Sequence, residues 1–145
     1  MSKASTGSEV IAVGIEKVSN ALFTIENYPE WTDGITKVSG VHRNVDGAIE
    51  QATLSIDAGV IKDEVTLVYD WSKTPERLDF RAIKGKLLKK MDGAYILESI
   101  DRNSTRVTYE LTVSVSAFIP QIMVATQEKA IITRALAQLK EFVER

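Results

Sequence analysis

The spacing of apolar and polar residues changes along the chain, and each change marks a different kind of element. Residues 16–26 carry apolar side chains at the i, i+3, i+4 and i+7 spacing of one helical face, which predicts a short amphipathic helix. Asn27 and Pro29 are predicted to end it. From residue 37 onward the period becomes two, which is typical of half-buried β-strands. A wide apolar stripe after Pro120 predicts one long final helix, with Glu128 among its solvated residues.

Short turns separate the later strands, which favours an antiparallel meander. The predicted strands are residues 8–13, 38–43, 49–57, 60–71, 77–83, 93–100 and 105–115. One face of the sheet is apolar, and only the final helix is long and apolar enough to cover it. The pattern predicts an α+β fold, in which a curved antiparallel sheet of about seven strands wraps around a long C-terminal helix. One or two short helices follow the first strand, and space left between sheet and final helix becomes a cavity.

The size and composition of the chain narrow the class of protein. Its 145 residues suit a single domain over residues 8–145, with residues 1–7 as a flexible tail. A formal net charge of −2 gives no global attraction to nucleic acid, so no nucleic-acid partner is predicted. The chain has no cysteine, which excludes disulfides, thiol catalysis and Cys-ligated zinc. With no apolar signal peptide or spanning segment in the sequence, we expect a cytoplasmic protein.

Three stretches of the chain resemble one known superfamily. They are Tyr28-Pro29-Glu30-Trp31, residues 57–64, and residues 92–95 together with 105–111. In this order they resemble the START-like superfamily, also called helix-grip, Bet v 1-like or SRPBCC. Within it, the chain is most similar to the polyketide cyclase/dehydrase and coenzyme Q-binding branch. The resemblance extends over about residues 8–144 and implies the helix-grip fold.

The resemblance is less specific for function than for fold. Members of the superfamily bind lipids, quinones, polyketides and plant hormones, and some are enzymes. It therefore implies a hydrophobic ligand without naming one. Relatives often carry a proline soon after the aromatic residue, whereas Thr32-Asp33-Gly34 follows Trp31 in this chain, so the shape of this loop is expected to differ.

Aromatic and large apolar residues on the predicted inward faces are the candidates for lining the cavity. Flat rings pack well against ligand rings or isoprenoid tails, and a buried phenol needs a polar partner that a ligand carbonyl can supply. The alternative for each is ordinary core packing or, for a tyrosine, a hydroxyl bonded to the backbone. The predicted ligand-binding residues are Trp31, Leu54, Leu67, Tyr69, Trp71, Phe80, Tyr95, Tyr109, Phe118 and Met123. Phe118 and Met123 suit either a lid over the cavity or a hydrophobic staple.

No catalytic set, metal site or cofactor is predicted. His42 is the only histidine, and its place on a strand near a turn favours a surface position over a general base. Asp63 shares a predicted inward face with Val65 and Leu67, which favours a paired or strand-end carboxylate over a functional one. Nucleotide-binding and nucleophile-elbow motifs do not occur in the sequence.

Four lysines crowd around two leucines at Lys84, Lys86, Lys89 and Lys90. Such a basic and apolar segment suits transient contact with an anionic membrane surface. The alternative is a solvated connection between two strands, in which the lysines also prevent edge pairing.

These features lead to competing hypotheses of function. The first is a binding module that holds a lipid, quinone or polyketide-like molecule between the sheet and the last helix, as a monomer or homodimer. The second is an aromatase/cyclase acting on a poly-β-ketone, which requires a titrating group inside the pocket with a perturbed pKa. The third is a partner-binding or stress-related protein whose cavity is nearly filled, which a pocket too small for a drug-sized ligand would favour.

Overall fold

The computed structural model describes residues 4–59, 61–115 and 119–145, and its elements follow the predicted order. In chain order they are β1 (Ser5–Ile11), α1 (Ile15–Phe23), a 3-10 turn (Ile25–Asn27), α2 (Tyr28–Trp31), β2 (Ile35–Arg43), β3 (Ile49–Ala58), β4 (Ile61–Asp70), β5 (Arg77–Lys84), β6 (Leu88–Asp101), β7 (Ser104–Val115) and α3 (Gln121–Val143).

The strands form one seven-stranded antiparallel sheet in the order β1-β7-β6-β5-β4-β3-β2. Strands β2 to β7 form a meander of neighbouring hairpins, and β1 closes the far side by pairing with β7. The predicted α+β helix-grip fold is therefore confirmed: a curved sheet carries α3 on its inner face, and short helices follow β1.

The core lies between the inner face of the sheet and α3. Along β7, Val107, Tyr109, Leu111 and Val113 are all buried, as the alternating pattern predicts. From α3, the apolar stripe adds further buried residues: Val124, Ile132, Ala135, Leu136, Leu139 and Val143. Burial of this apolar surface, at roughly 25 cal/mol per Å², is the main term that holds α3 on the sheet.

The first strand begins at Ser5 rather than at residue 8 and ends at Ile11, so part of the expected tail lies in the sheet. The sequence of this segment is small and polar, which gives a weak strand signal. Its small size is a packing requirement: a Cβ on Gly7 would lie 2.7 Å from Ile132 Cγ2 on α3. Pairing with β7 and contact with the helix therefore outweigh local propensity here.

The first helix is shorter than the predicted 16–26 segment, since α1 ends at Phe23 and a 3-10 turn follows. Pro29 does not stop the helical path but lies in the first turn of α2. At that position proline removes no helical hydrogen bond, because the first backbone N–H groups of a helix have no intrahelical partner.

Strand β6 begins at Leu88, earlier than the predicted residue 93. A register shift between Leu88 and Lys90 interrupts the pairing with β7. As a result Lys89 and Lys90 are both exposed, while Leu88 and Met91 on either side are buried. Because this shift breaks the two-residue period, the pattern did not predict the start of the strand. Lys89 and Lys90 therefore lie in a strand and not in a connection.

Glu128 is buried, although the pattern places it among the solvated residues of the last helix. Its Oε1 accepts a hydrogen bond from the Ser5 hydroxyl at 2.8 Å, and its Oε2 accepts one from the Val113 backbone N–H at 2.5 Å. The carboxylate therefore ties α3 to both β1 and β7. Period alone could not show this, because the partners come from distant parts of the chain.

Candidate functional site

A gap of about 100 Å³ lies between α3 and the β2–β3 side of the sheet. Its walls are mainly apolar, and its rim carries a few polar groups. The apolar walls are formed by Ile35, Ile56, Ala58, Met91, Ile131 and Ala135, with the rings of Tyr95 and Tyr109. The polar rim is formed by Thr32, Asp57, Gln127 and Arg134.

The gap exists because α3 does not lie centrally over the sheet. The helix packs mainly on β1 and β7, while α2 packs on β2 at the opposite edge. The inner face of the middle strands is therefore covered by large side chains instead of by a helix. Where these side chains do not fill the space beside α3, the gap remains.

All four tyrosines of the chain lie at or behind the gap. The Tyr95 and Tyr109 rings are in contact, with centroids 4.4 Å apart. Phe80 lies 6.3 Å from Tyr95 and 6.2 Å from Tyr69, measured between ring centroids. Tyr28 is buried in the same region, and the Tyr69 and Tyr109 phenols add to the rise that burial causes in its pKa. We call Tyr28, Tyr69, Tyr95 and Tyr109 the tyrosine cluster.

Two members of the tyrosine cluster and a neighbouring tryptophan differ in their hydrogen bonding. The Tyr28 hydroxyl donates to the Leu22 carbonyl oxygen at 2.5 Å. Within the described part of the chain, neither the Tyr69 hydroxyl nor the Trp31 indole N–H has a hydrogen-bond partner, although both atoms are buried. The Trp31 ring packs on Tyr28 with centroids 5.2 Å apart. An unpaired buried donor costs about 1–3 kcal/mol, so both groups would gain from an acceptor.

Burial controls the ionisation of the tyrosine cluster. Desolvation raises the pKa of Tyr28, Tyr69 and Tyr95, and the neighbouring phenols add to the effect. Desolvation also raises the pKa of Tyr109, to about 12, and a hydrogen bond with Tyr95 limits that rise. All four phenols are therefore neutral at physiological pH, where they donate hydrogen bonds and are poor proton acceptors.

An ion pair crosses the rim of the gap. The Arg134 guanidinium on α3 donates to the Asp33 carboxylate in the loop after α2, and the Asp33 backbone N–H donates to Gln138 Oε1 at 3.2 Å. The hydrogen bond from Arg134 lowers the pKa of Asp33, against a smaller opposing effect of desolvation. Both charged side chains are largely exposed. The rim is thus held by contacts that water can replace at little cost.

The sequence matches the family described as "Polyketide cyclase / dehydrase and lipid transport" over residues 11–140. That span is most of the chain. The protein belongs to this family. No curated protein is significantly similar to it in sequence.

Solved structures of the same fold agree with the family assignment. A START superfamily protein from Mycobacterium smegmatis superposes with a TM-score of 0.92 at 17% identity, over 99% of this chain and 98% of that one. The ZhuI aromatase/cyclase from a Streptomyces species gives 0.81 at 14% identity, over 99% and 94%. The di-domain aromatase/cyclase BexL gives 0.77 at 15% identity, over 99% of this chain and 47% of that one. At these identities the similarity establishes the fold.

The sequence-predicted residues of this polyketide cyclase family member occupy different parts of the site. Tyr95 and Tyr109 line the gap itself. Tyr69 and Phe80 lie behind them, and the Phe80 ring is close to the rings of Tyr69 and Tyr109. Leu54 and Leu67 are buried in the core on β3 and β4 and do not line the gap.

The two tryptophans lie outside the gap. Trp31 is buried and borders a shallow groove between α1 and α3. The Trp71 indole N–H donates to the Ile49 carbonyl oxygen at 2.7 Å, and its ring meets the Phe23 ring edge-on.

Met123 does not line the gap. Met123 is exposed in the first turn of α3. Phe118 lies outside the described residues, so the predicted lid stays a prediction.

Several residues that line the gap escaped the sequence-based choice. Ile56, Ile131 and Ala135 carried a usable signal, because they fall on apolar faces of a strand and of the last helix. Met91 carried none, since the register shift in β6 breaks the alternation before it. Arg134 and Asp33 come from distant segments whose meeting no local pattern indicates.

A larger trough of about 970 Å³ lies on the outer face of the sheet, where His42 is found. Its charged side chains pair with one another: the Arg77 guanidinium is 3.0 Å from Asp79 and 3.5 Å from Glu110. This trough is open and charged, so an oily molecule seated there would remain in contact with water and with charged side chains. Among the described residues, no group of His, Asp and Glu side chains is arranged to hold a metal ion.

Proposed function

We propose that the protein binds a small hydrophobic molecule in the gap between α3 and the sheet. The observation that carries the proposal is the combination of an apolar gap with the neutral tyrosine cluster, two members of which line it. Burial of the ligand's apolar surface, at roughly 25 cal/mol per Å², would supply the driving force. The family and the fold support this function, and lipids, quinones and polyketides are the candidate ligands.

A buried polar group behind the gap favours a ligand that carries a hydrogen-bond acceptor. The Tyr69 hydroxyl is a donor without an acceptor among the described residues. A quinone or polyketide carbonyl supplies such an acceptor, whereas a bare hydrocarbon tail does not. The ligand we propose is therefore apolar and carries at least one carbonyl group.

The size of the gap sets a condition on the ligand. Pockets for drug-sized molecules measure about 300–1,000 Å³, well above the volume found here. A ligand of that size requires α3 to move away from β3. The rim favours such movement, because an exposed ion pair such as Asp33–Arg134 is worth only about 0.2–1 kcal/mol.

A direct test is native mass spectrometry of the purified protein, followed by solvent extraction of any bound molecule. The matched variants are Ala130→Trp, which places an indole at the wall of the gap, and Ala137→Trp, which places the same group on the exposed side of α3. We expect a copurified carbonyl-containing apolar molecule in the wild type and in Ala137→Trp, and its loss in Ala130→Trp. Equal occupancy in both variants would place the ligand elsewhere and contradict the proposal.

An aromatase/cyclase is the second candidate function, because the fold is shared with two aromatase/cyclases. The tyrosine cluster limits it: phenols with raised pKa values can protonate an enolate but are weak bases at neutral pH. Tyr109, which contacts the gap, would be the proton donor. Cyclised product from a poly-β-ketone substrate, lost in Tyr109→Phe while binding persists, would establish catalysis over simple binding.

A nearly filled cavity is the third possibility, and the small volume of the gap favours it. In that case no apolar probe should bind the wild type at any accessible concentration. A hydrophobic fluorescent dye that binds the wild type, and that binds Ala137→Trp more tightly than Ala130→Trp, argues against a filled cavity.

A further inference from the structure

A basic and apolar surface lies at the end of the molecule where β5 turns into β6. It consists of Ile83, Lys84, Lys86, Lys89 and Lys90, and all four lysines are exposed. Ile83, a large apolar residue at the end of β5, is 49% exposed. Among the described residues, Lys84, Lys86 and Lys89 form no ion pair, and Lys90 is 3.7 Å from Asp92. We call these five residues the lysine surface.

The backbone that carries the lysine surface is held in place. The Asp63 carboxylate accepts hydrogen bonds from the backbone N–H groups of Lys86, Leu87 and Leu88, with Lys86 at 3.0 Å and the other two at 2.9 Å. Desolvation opposes ionisation of Asp63, but these amides and that of Glu64 outweigh it and lower its pKa. Asp63 is thus a strand-end carboxylate paired with backbone amides. The lysines are presented on a fixed turn instead of a loose loop.

Exposed apolar residues from α3 belong to the same end of the molecule. Leu88 pairs with Val115 at the end of β7, and α3 begins a few residues later at Gln121. In the first turn of α3, Ile122 is 77% exposed and Met123 is 47% exposed. The fold therefore places two protruding apolar side chains and the lysine surface at one end of the protein.

The gap opens close to this end. Met91, which forms part of its wall, follows Lys90 directly in β6, and Gln127 at its rim lies one helical turn beyond Met123. A molecule that leaves the gap near these residues would meet the lysine surface and the first turn of α3. This is a geometric relation, and it holds whatever the gap contains.

We propose that the lysine surface, together with Ile122 and Met123, docks on an anionic lipid bilayer. Four lysines match the negative surface of such a bilayer, and each lysine near the surface strengthens attraction. Ile83, Ile122 and Met123 can enter the boundary between head groups and acyl chains. Because the chain as a whole carries a net charge of −2, the remainder of the molecule is acidic and is repelled, which orients this end toward the bilayer.

The chemistry of the surface favours a bilayer over a polyanion such as RNA or an acidic protein segment. Lysines alone would suit any of these partners. The protruding isoleucines and the methionine have no role on RNA, and the described residues near the turn offer no exposed aromatic ring for base stacking. In the described part of the chain, no helix has the length and apolar character needed to cross a bilayer.

The test is cosedimentation of the full chain with phosphatidylcholine vesicles that contain or lack phosphatidylglycerol. The charge variant is Lys86→Gln with Lys89→Gln, and its matched control is Lys17→Gln with Lys37→Gln, two exposed lysines without ion pairs in the described structure. We expect the wild type to bind only the anionic vesicles. The charge variant should bind about thirtyfold more weakly and the control should be unchanged.

Apolar insertion is tested separately with Ile122→Ser and Met123→Ser against Val45→Ser, a fully exposed apolar residue on the β2–β3 turn. Weaker vesicle binding in the first two variants only, with unchanged thermal unfolding, supports docking. Equal losses in the charge variant and its control would overturn the proposal. So would vesicle binding that ignores phosphatidylglycerol, or binding of the wild type to RNA with no binding to anionic vesicles.

Discussion

The two flanks of α3 are built differently. On the flank that faces β1 and β7, the closed flank, a Cβ on Gly7 would lie 2.7 Å from Ile132 Cγ2, and the carboxylate of Glu128 is buried. On the flank that faces β3, the open flank, a gap separates the helix from the sheet, and the exposed pair of Asp33 and Arg134 crosses its rim. One helix is therefore fixed along one side and loosely held along the other.

This difference suggests how a small domain combines stability with a binding site. Close packing on the closed flank supplies van der Waals contacts that stabilise the fold, and the gap on the open flank lacks such contacts. Movement of α3 during ligand uptake would then be a swing about the closed flank. The predictions that follow test whether stability and access are divided in this way.

The largest difference is expected from truncating one apolar residue on each flank. Leu136 is buried on the closed flank, near Gly7, so Leu136→Ala should lower the free energy of unfolding by about 2–5 kcal/mol. Ile131 is only half-buried at the wall of the gap, so Ile131→Ala should cost about 1 kcal/mol. Urea unfolding measures both. Equal losses would mean that the two flanks contribute equally.

The next prediction adds a methyl group at a glycine on each flank, whereas the previous one removed side-chain atoms. Gly7→Ala on the closed flank forces Ile132 to shift and should destabilise the protein by about 1–3 kcal/mol. Gly34 lies at the rim of the open flank, where a Cβ would meet only Thr32 Oγ1 at 3.7 Å and the Asp57 carbonyl oxygen at 3.9 Å. Gly34→Ala should therefore cause no loss in thermal unfolding, and a loss as large as that of Gly7→Ala would contradict the comparison.

The next prediction concerns the buried Glu128 carboxylate, which ties α3 to β1 and β7 on the closed flank. Glu128→Ala leaves the Val113 backbone N–H without its carboxylate acceptor and should lower the free energy of unfolding by about 1–3 kcal/mol. Glu128→Gln keeps an acceptor oxygen in place and should cost less. Chemical denaturation of both variants gives the answer, and identical losses would show that the charge of the carboxylate, which both variants remove, matters more than the acceptor oxygen that Glu128→Gln keeps.

The fold could be predicted further from the sequence than the site could. Alternation along β7 and the apolar stripe of α3 are local signals, and both gave the observed elements. The inward position of the tyrosines on β4, β6 and β7 was predicted from the alternation of each strand, whereas their role in ligand binding stays a prediction. These successes share one cause: burial on one face imposes a period that the sequence displays.

The remaining features depend on contacts between distant segments. Glu128 is buried because Ser5 and Val113 supply its partners, and neither is near it in sequence. Met91 lines the gap because a register shift turns the strand before it. The gap itself depends on where α3 lies across the sheet, and the amphipathic stripe fixes only which side of the helix faces inward. Such features follow from packing, which no single segment encodes.

The smallest effect is expected at the exposed tie of the open flank. Asp33→Asn removes the charge that pairs with Arg134 and should lower the free energy of unfolding by less than about 1 kcal/mol, because both side chains are largely hydrated. A double-mutant cycle with Arg134→Gln isolates the pair from other effects of each change. A coupling as large as the loss from Glu128→Ala would remove the distinction between the two ties.

The pH dependence of this small effect has a definite sign. The hydrogen bond from Arg134 holds the pKa of Asp33 below its ordinary value in the folded protein. The pair therefore contributes its full stability above the unfolded pKa of about 4, and that contribution is lost as the pH falls through the lower folded pKa. The difference in unfolding free energy between wild type and Asp33→Asn should shrink toward zero in acid. Because other carboxylates titrate in both proteins, only this difference reports on the rim, and a difference that persists well below the folded pKa would show that Asp33 acts through something other than its charge.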